Sequence, residues 1–268
     1  KWTAGEEYED LNGDGKWANG NGNHEPTEKN NLNQQDVETL LYDTLTTSVQ
    51  NDTIANLLLL KKSFKSPVVI LANGSFPTHP IPLEILTDAG TVICTDGSAN
   101  TLDRLNLIPH VIIGDLDSID PNNEFHGLEI HDQNQENTDL EKALDWVAMN
   151  GIKNVTLLGA TELREDMTVA NHYILFDFFE KLNIEMVTDY FTVTSHRGQR
   201  SFDSFPGELV SLFPQRFGTV VSTTALNYPL NETVLDPSAR GISNQSIGAT
   251  FSVVASDPIL VFRGHPKN

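Results

Sequence analysis

Two aspartates that follow a short apolar run carry the clearest chemistry in this sequence. Asp115 and Asp117 lie two positions apart, and Gly114 separates them from the apolar run 111–113. In an extended chain such side chains point the same way, so the two carboxylates should converge beyond the end of a strand. Like charges so placed repel each other unless a cation lies between them, which is typical of a magnesium site. The alternative is an Asx turn with two solvated acids.

A third acid lies at the start of a predicted helix. Thr138 and Glu141 form the sequence signature of a capping box, which places Asp139 in the first helical turn. Its simplest explanation is that an acid there interacts favourably with the helix dipole. Lys142 lies three residues later on the same side of the helix, so it is either a surface lysine or a phosphate ligand.

An arginine precedes the next predicted helix. Arg164 and Asp166 come just before Thr168, where the helical pattern begins, and Asn171 falls in the first turn. An arginine beside a strand end and a helix N-terminus suits a phosphate group, because the guanidinium and the free backbone N–H groups both bind oxyanions. Taken alone, this pattern does not identify a ligand.

These polar residues recur where short, β-branched apolar runs end. The runs cover residues 68–72, 91–95, 111–113 and 155–158. They end in the stretches 73–75, 96–100, 114–118 and 159–161. Periodic segments around 83–88, 138–149 and 169–182 predict helices between the strands. Continuous apolar strands between helices predict a parallel sheet covered on both faces, and ligands bind beyond the carboxyl ends of its strands.

The pattern predicts four segments along the chain. After about Met186 the helical periodicity stops and short alternating strands follow. We therefore predict an open, mainly parallel α/β sheet over residues 67–187 that binds nucleotide and metal, followed by a smaller all-β, sandwich-like domain over 188–268. Apolar residues at spacings of three and four predict a helical connector over 32–66. Residues 1–31 form an extra acidic segment.

The acidic segment has scarcely any aliphatic residues, so it cannot form a core alone. Asp10, Asn12 and Asp14 alternate and are followed by glycine, as in the first half of a calcium-binding loop. The bidentate glutamate expected at the twelfth loop position is missing, because Asn21 lies there. The segment resembles the short DxNGDGxW calcium repeats of secreted bacterial proteins. It is either a Ca²⁺ site or a solvated acidic turn.

Composition limits the classes of partner. The 268 residues carry 17 Lys and Arg against 37 Asp and Glu, a net charge of −20, which argues against nucleic acid because duplex binders need a basic surface. An acidic protein that handles nucleotides needs divalent cations. One cysteine, Cys94, excludes an internal disulfide and a cysteine-based zinc cluster. The apolar runs are too short to span a bilayer and no signal peptide is visible, so we expect no membrane partner.

Taken in order, these motifs resemble those of thiamin pyrophosphokinases. The matching stretches are ILANGSFP (70–77), CTDGSANTL (94–102), IIGDLDSI (112–119), DQN…TDLEKAL (132–144), LLGATELREDMTVAN (157–171) and RGISN (240–244). The resemblance covers about residues 67–263. It implies a homodimeric, Mg²⁺-dependent enzyme that transfers the pyrophosphoryl group of ATP to the hydroxyl of thiamin, releasing AMP and thiamin diphosphate.

The resemblance also implies roles for individual residues. The acids that order magnesium and phosphate are Asp115, Asp117, Asp139 and Asp166, and the catalytic set is Asp115, Asp117, Lys142 and Arg164. Lys142 and Arg164 match phosphate contacts. The residues on the nucleotide side are Asn73, Gly74, Asp96 and Asn100. The residues on the thiamin side are Gln133, Asn134, Ser243 and Asn244, the last two contributed across the dimer.

Three positions depart from the family pattern. Met167 replaces a usual histidine, while Glu162 and Ala225 each replace a usual glycine. Because the acids, Lys142 and Arg164 are retained, we expect an active enzyme. The alternatives are a weakened or inactive relative fused to a calcium-binding surface module, and a pyrophosphokinase for another alcohol. A kinase implies the cytoplasm, whereas calcium repeats imply export.

Overall fold

A computed structural model describes residues 64–102, 105–120, 125 and 127–266 of the chain. These residues belong to a compact unit, Leu59–Asn268. The candidate calcium ligands Asp10, Asn12 and Asp14 lie outside the described residues, as does the connector up to residue 63. No helix in the described ranges is long and apolar enough to cross a membrane.

The first half of the described chain alternates strands and helices, as the sequence predicts. The strands are β1 (Val68–Leu71), β2 (Thr91–Thr95), β3 (Val111–Gly114), β4 (Leu128–His131), β5 (Asn154–Leu158) and β6 (Asn183–Val187). The helices are α1 (Pro80–Thr87), α2 (Ala99–Leu102), α3 (Asp139–Met149) and α4 (Glu165–Asp177), with a 3₁₀ turn at Asp96–Ser98. Strands β4 and β6 lack a continuous apolar run, which is why the pattern missed them. Helix α4 begins three residues before the predicted start.

The six strands run parallel in the order β6-β5-β1-β2-β3-β4. Strand β1 lies between β2 and β5, so the direction in which the chain adds strands reverses there. In open α/β sheets ligands bind at such a switch point, beyond the carboxyl ends of the strands. The predicted fold class is confirmed, and it places the loops after β1, β2, β3 and β5 around one crevice.

Apolar clusters cover both faces of this sheet. Val68 and Ile70 of β1 pack in one cluster with Leu144 of α3, whereas Val69 and Leu71 pack in another with helices α1 and α2. Alternate residues of a strand point to opposite faces, so β1 must be apolar at every position. This double burial explains the continuous apolar runs in the sequence.

The second half of the described chain is antiparallel. Its strands are β7 (Phe191–Asp203), β8 (Leu209–Pro214), β9 (Thr219–Thr224), β10 (Thr233–Leu235), β11 (Asn244–Gln245) and β12 (Thr250–Gly264). Strand β7 pairs with β6, and β12 pairs with β7, so hydrogen bonding continues from the parallel sheet. One part of β12 pairs with β9 and the other with β8, on either side of a bulge between Ala255 and Ile259. Phe202, Val221 and Phe251 belong to a separate apolar cluster.

Ala225, one of the departures from the family pattern, has a left-handed backbone with φ of 57°. An L-residue pays a steric cost there that glycine avoids. We expect Ala225→Gly to raise the free energy of unfolding by about 1 kcal/mol, measured by urea denaturation. Ala249→Gly is the matched control, since Ala249 is exposed and does not have positive φ, and it should be neutral or destabilising. A loss of stability in Ala225→Gly would contradict the strain argument.

Candidate functional site

A cavity of about 430 Å³ opens at the carboxyl ends of β1, β2, β3 and β5. The predicted site residues that line it are Asn73, Gly74, Asp96, Asp115, Asp117, Asp139 and Arg164. A larger cavity of about 640 Å³ lies at the other end of the sheet, next to Pro67, Asn154 and Asn183. The smaller cavity is the better candidate, because it holds the converging acids and lies at the switch point.

Three carboxylates converge in this cavity. Ligand oxygens of Asp96, Asp115 and Asp117 all lie within 4.8 Å of one another. The spacing of Asp115 and Asp117 predicts convergence in an extended chain, but the structure brings the two acids together through a turn in which Leu116 has φ of 62°. Asp96, which the resemblance places on the nucleotide side, joins the two acids from the end of β2.

The environment of Asp96 is unusual for an acid. The residue is buried, and its Oδ1 has no hydrogen-bond partner among the described residues. Burial raises the pKa of the Asp96 carboxyl, and the charges of Asp139, Asp115 and Asp117 add to this, while a hydrogen bond with Ser118 opposes it. A buried, unpaired carboxylate oxygen beside two more acids fits a divalent cation, which would satisfy that oxygen and offset the repulsion.

Asp115 is held differently. Partial desolvation acts to raise the pKa of its carboxyl, but hydrogen bonds from the backbone N–H of Asp117 and from Gln135 outweigh this and lower the pKa. The Gln135 amide donates to Oδ2 of Asp115 at 3.4 Å. Sequence reasoning missed Gln135, whose position in the polar segment next to Asn134 is its main signal. Gly114 is also needed here, since a Cβ would lie 2.9 Å from the Asp96 Cβ.

Asp139 forms an ion pair with the buried side chain of Lys142. The predicted capping box is confirmed, because Thr138 accepts from the Glu141 N–H and the Glu141 carboxylate accepts from the Thr138 N–H. The Lys142 Nζ lies 2.9 Å from Oδ1 of Asp139, and the Lys142 side chain is only 4% exposed. The Nζ also donates to the Asp132 carbonyl at 3.0 Å. Lys142 is therefore buried beneath Asp139 and does not line the cavity.

Arg164 and Asp166 form a bidentate ion pair at the start of α4. The Arg164 Nε donates to Oδ1 of Asp166 at 3.1 Å and Nη2 donates to Oδ2 at 2.6 Å. The Arg164 hydrogen bond lowers the pKa of the Asp166 carboxyl, and the same pairing raises the pKa of Arg164. Arg164 lines the cavity, whereas Asp166 is not part of its lining.

The loop after β1 packs tightly against the loops after β2 and β5. The Gly74 N–H donates to the Gly159 carbonyl at 2.7 Å, and a Cβ at Gly74 would lie 2.4 Å from that oxygen. Only glycine fits such an approach to backbone atoms. Asn73 lies beside Gly97, where an added Cβ would meet the Asn73 Nδ2 at 2.9 Å. The loops after β1, β2 and β5 therefore hold one another in place.

The remaining predicted residues lie around the cavity without lining it. Asn100 donates to the Ser118 carbonyl at 2.8 Å and so supports the loop after β3. The Gln133 amide lies 3.4 Å from His131, and the Asn134 side chain accepts from the Glu136 N–H at 2.9 Å. Both side chains interact within the segment that leads into α3.

Ser243 and Asn244 belong to the antiparallel part. The Ser243 N–H donates to the Ser211 hydroxyl at 3.0 Å, and Ser243 has φ of 61°. The Asn244 side chain accepts from the Tyr228 N–H and donates to the Tyr228 carbonyl. The structure does not bring these two residues into the lining of the acidic cavity.

Comparison with known families identifies the segment that carries these acids. The family model "Thiamin pyrophosphokinase, catalytic domain" matches residues 83–188, which include Asp96, Asp115, Asp117, Asp139 and Arg164. This segment is similar to the catalytic domain of thiamin pyrophosphokinases. The thiamin pyrophosphokinase motifs thus coincide with the loops that line the cavity.

Solved thiamin pyrophosphokinase structures share the fold of the chain. The enzyme from Bacillus subtilis is 22% identical with a TM-score of 0.64, over 75% of this chain and 99% of that one. The enzyme from Geobacillus thermodenitrificans is 23% identical with a TM-score of 0.64, over 75% and 98%. The Candida albicans enzyme is 18% identical with a TM-score of 0.65, over 74% and 90%. None of the curated proteins compared with the chain matches it.

Proposed function

We propose that this protein is a thiamin pyrophosphokinase, which transfers the pyrophosphoryl group of ATP to the hydroxyl of thiamin and releases AMP. The observation that carries the proposal is the convergence of Asp96, Asp115 and Asp117 at the switch point of the sheet, within the segment that matches the catalytic-domain family. The alternative of an inactive relative has no comparable support, since the cluster of acids is intact.

The donor set fits a hard divalent cation. Carboxylate oxygens are the ligands that Mg²⁺ prefers. Among the described residues, Oδ1 of Asp96 has no hydrogen-bond partner and is therefore available to a metal ion. Asp96, Asp115 and Asp117 would hold the ion, with Asp139 beside them. When bound, Mg²⁺ would neutralise charge on the polyphosphate of ATP.

The protein's own contribution is positioning and charge stabilisation. In-line displacement at phosphorus needs no covalent intermediate with the enzyme, so correct orientation of the two substrates is the main requirement. The thiamin hydroxyl oxygen forms a bond to the β-phosphorus, the bond from that phosphorus to the oxygen of AMP breaks, and the hydroxyl proton is released to solvent. Arg164 lines the cavity and stabilises the charge that develops on the phosphoryl oxygens. The packed loop at Asn73 and Gly74 fixes the nucleotide side.

Two broader features follow as part of the proposal. Ser243 and Asn244 do not line the acidic cavity of their own chain. The motif resemblance places them on the thiamin side across a dimer, and we therefore propose a homodimer. Sedimentation of the active protein as a dimer would support this.

Because the reaction consumes ATP, we propose the cytoplasm as its compartment.

The function is tested by identifying the products. Incubation of the full chain with ATP, Mg²⁺ and thiamin should yield AMP and thiamin diphosphate in equal amounts by chromatography. Omission of thiamin should abolish AMP formation. A protein that forms neither product, or that consumes ATP equally well without thiamin, would overturn the proposal.

Glu162 is an acid in the lining of the proposed phosphate site, and its φ of 65° is left-handed. Both features disfavour it, because its charge repels phosphate and its side chain strains the backbone. We expect Glu162→Gly to lower the KM for ATP roughly three- to tenfold and to raise the free energy of unfolding by about 1 kcal/mol.

Glu162→Gln is the matched variant for this prediction, because it removes the charge and leaves the backbone conformation unchanged. It should lower the KM for ATP without the gain in stability, measured by steady-state kinetics and urea denaturation. An increase in the KM of both variants would show that Glu162 assists binding, contrary to this account.

A further inference from the structure

The Arg164–Asp166 pair uses one particular edge of the guanidinium. Asp166 accepts from Nε and Nη2, which form the side edge of the arginine fork. Within the described part of the chain, Nη1 makes no hydrogen bond, so the end formed by Nη1 and Nη2 keeps N–H donors for another anion. An arginine has five such donors in a rigid plane, so fixing one edge sets the direction of the other.

Asp166 does not belong to the cluster of candidate metal-binding acids. Among the described residues, the group of acids that could share an ion is Asp96, Asp115 and Asp117, and it does not include Asp166. Both carboxylate oxygens of Asp166 face the Arg164 guanidinium. Its hydrogen bonds are therefore those of an arginine partner, although the motif resemblance groups it with the magnesium-ordering acids.

Resting on the proposed function, we infer that Asp166 is a positioning residue, which acts through Arg164 and is not a ligand of the metal. Holding the side edge of the guanidinium directs the Nη1–Nη2 end to the polyphosphate of ATP. Arg164 is the residue directly before α4, and it lines the cavity. The ion pair with Asp166 is what restrains the Arg164 side chain in the cavity.

The Arg164–Asp166 ion pair contributes little to the stability of the fold. The side chains of Arg164 and Asp166 are 67% and 66% exposed, and exposed ion pairs contribute little to folding. Orientation is a separate benefit, since an arginine restrained in one geometry loses less rotamer freedom when it binds phosphate. Removing the restraint should therefore weaken phosphate binding while the fold and the metal cluster remain unchanged.

The experiment compares Asp166→Asn, Arg164→Gln, the double variant and Asp117→Asn by calorimetry. The first probe is Mn²⁺ alone. Asp166→Asn should bind it within about twofold of the original protein, whereas Asp117→Asn should bind it at least about tenfold more weakly. The second probe is inorganic pyrophosphate with saturating Mg²⁺. Asp166→Asn should weaken its binding roughly tenfold, as expected for loss of a charge-assisted hydrogen bond.

The double variant decides whether Asp166 acts through Arg164. It should bind pyrophosphate no more weakly than Arg164→Gln, because the two changes remove one interaction. Asp166→Glu should restore part of the affinity. Mn²⁺ binding as weak in Asp166→Asn as in Asp117→Asn, additive losses in the double variant, or unchanged pyrophosphate affinity would each overturn the inference. Failure to make thiamin diphosphate would instead count against the proposed function, since the binding data do not depend on turnover.

Discussion

Replacing Asp117 by asparagine should lower kcat/KM for thiamin diphosphate formation by about 10²-fold or more, which is about 3 kcal/mol of transition-state stabilisation. Asparagine keeps the volume and the capacity to accept the hydrogen bond from Ser118, which measures 2.9 Å. It removes one charge from a cluster whose ligand oxygens lie within 4.8 Å of one another. Steady-state kinetics at ordinary and at excess Mg²⁺ measures the loss, and excess Mg²⁺ should restore part of the rate.

The same substitution should leave the free energy of unfolding unchanged or raise it, because repulsion from Asp96 and Asp115 is relieved in the metal-free protein. Asp145→Asn is the matched control, since Asp145 pairs with Lys181 on the outer side of α3. It should change neither activity nor metal dependence. Near-wild-type turnover of Asp117→Asn would contradict the assignment, and the acids would then be turn residues.

Replacing Lys142 by methionine should lower the free energy of unfolding by about 2 kcal/mol and abolish most activity. The Lys142 side chain is 4% exposed and that of Asp139 is 33% exposed, so removing the cation leaves a partly buried carboxylate without its partner. The expected loss of stability is below the usual cost of breaking a buried ion pair, because the Asp139 side chain is partly exposed to water. Urea denaturation measures the loss of stability.

Lys181→Met is the matched control for Lys142→Met. The Lys181 side chain is 58% exposed and its Nζ lies 3.4 Å from Asp145, so its removal should cost less than about 1 kcal/mol. Equal, small effects of the two substitutions would show that Lys142 does not anchor Asp139. A loss of activity without any loss of stability would favour the direct phosphate contact that the motif resemblance implies.

The sequence predicted the parts of the fold that local chemistry determines. Runs such as 68–72 must be buried on both faces, so they predict interior strands of a parallel sheet. The capping box at Thr138 fixes the start of α3, and this placed Asp139 correctly in the first turn. Strand β4 was missed because it alternates between half-buried and exposed positions, and a short run of this kind resembles a loop.

Contacts between distant parts of the chain were beyond prediction from pattern. Helical spacing puts Lys142 on the same side as Asp139, but whether that side faces solvent depends on how α3 packs on the sheet. Likewise, Gln135 reaches Asp115 because β4 lies beside β3, a pairing that no motif encodes. The joining of Asp96 to the other acids depends on the order of β2 and β3 in the sheet.

Pyrophosphoryl transfer moves the β-phosphorus of ATP to thiamin, so a label at that atom distinguishes it from transfer of a single phosphoryl group. With thiamin, Mg²⁺ and ATP carrying ³²P at the β-position, the label should appear in thiamin diphosphate, and AMP should form without label. Transfer of a single phosphoryl group would instead leave the label in ADP and yield thiamin monophosphate, and that result would contradict the account.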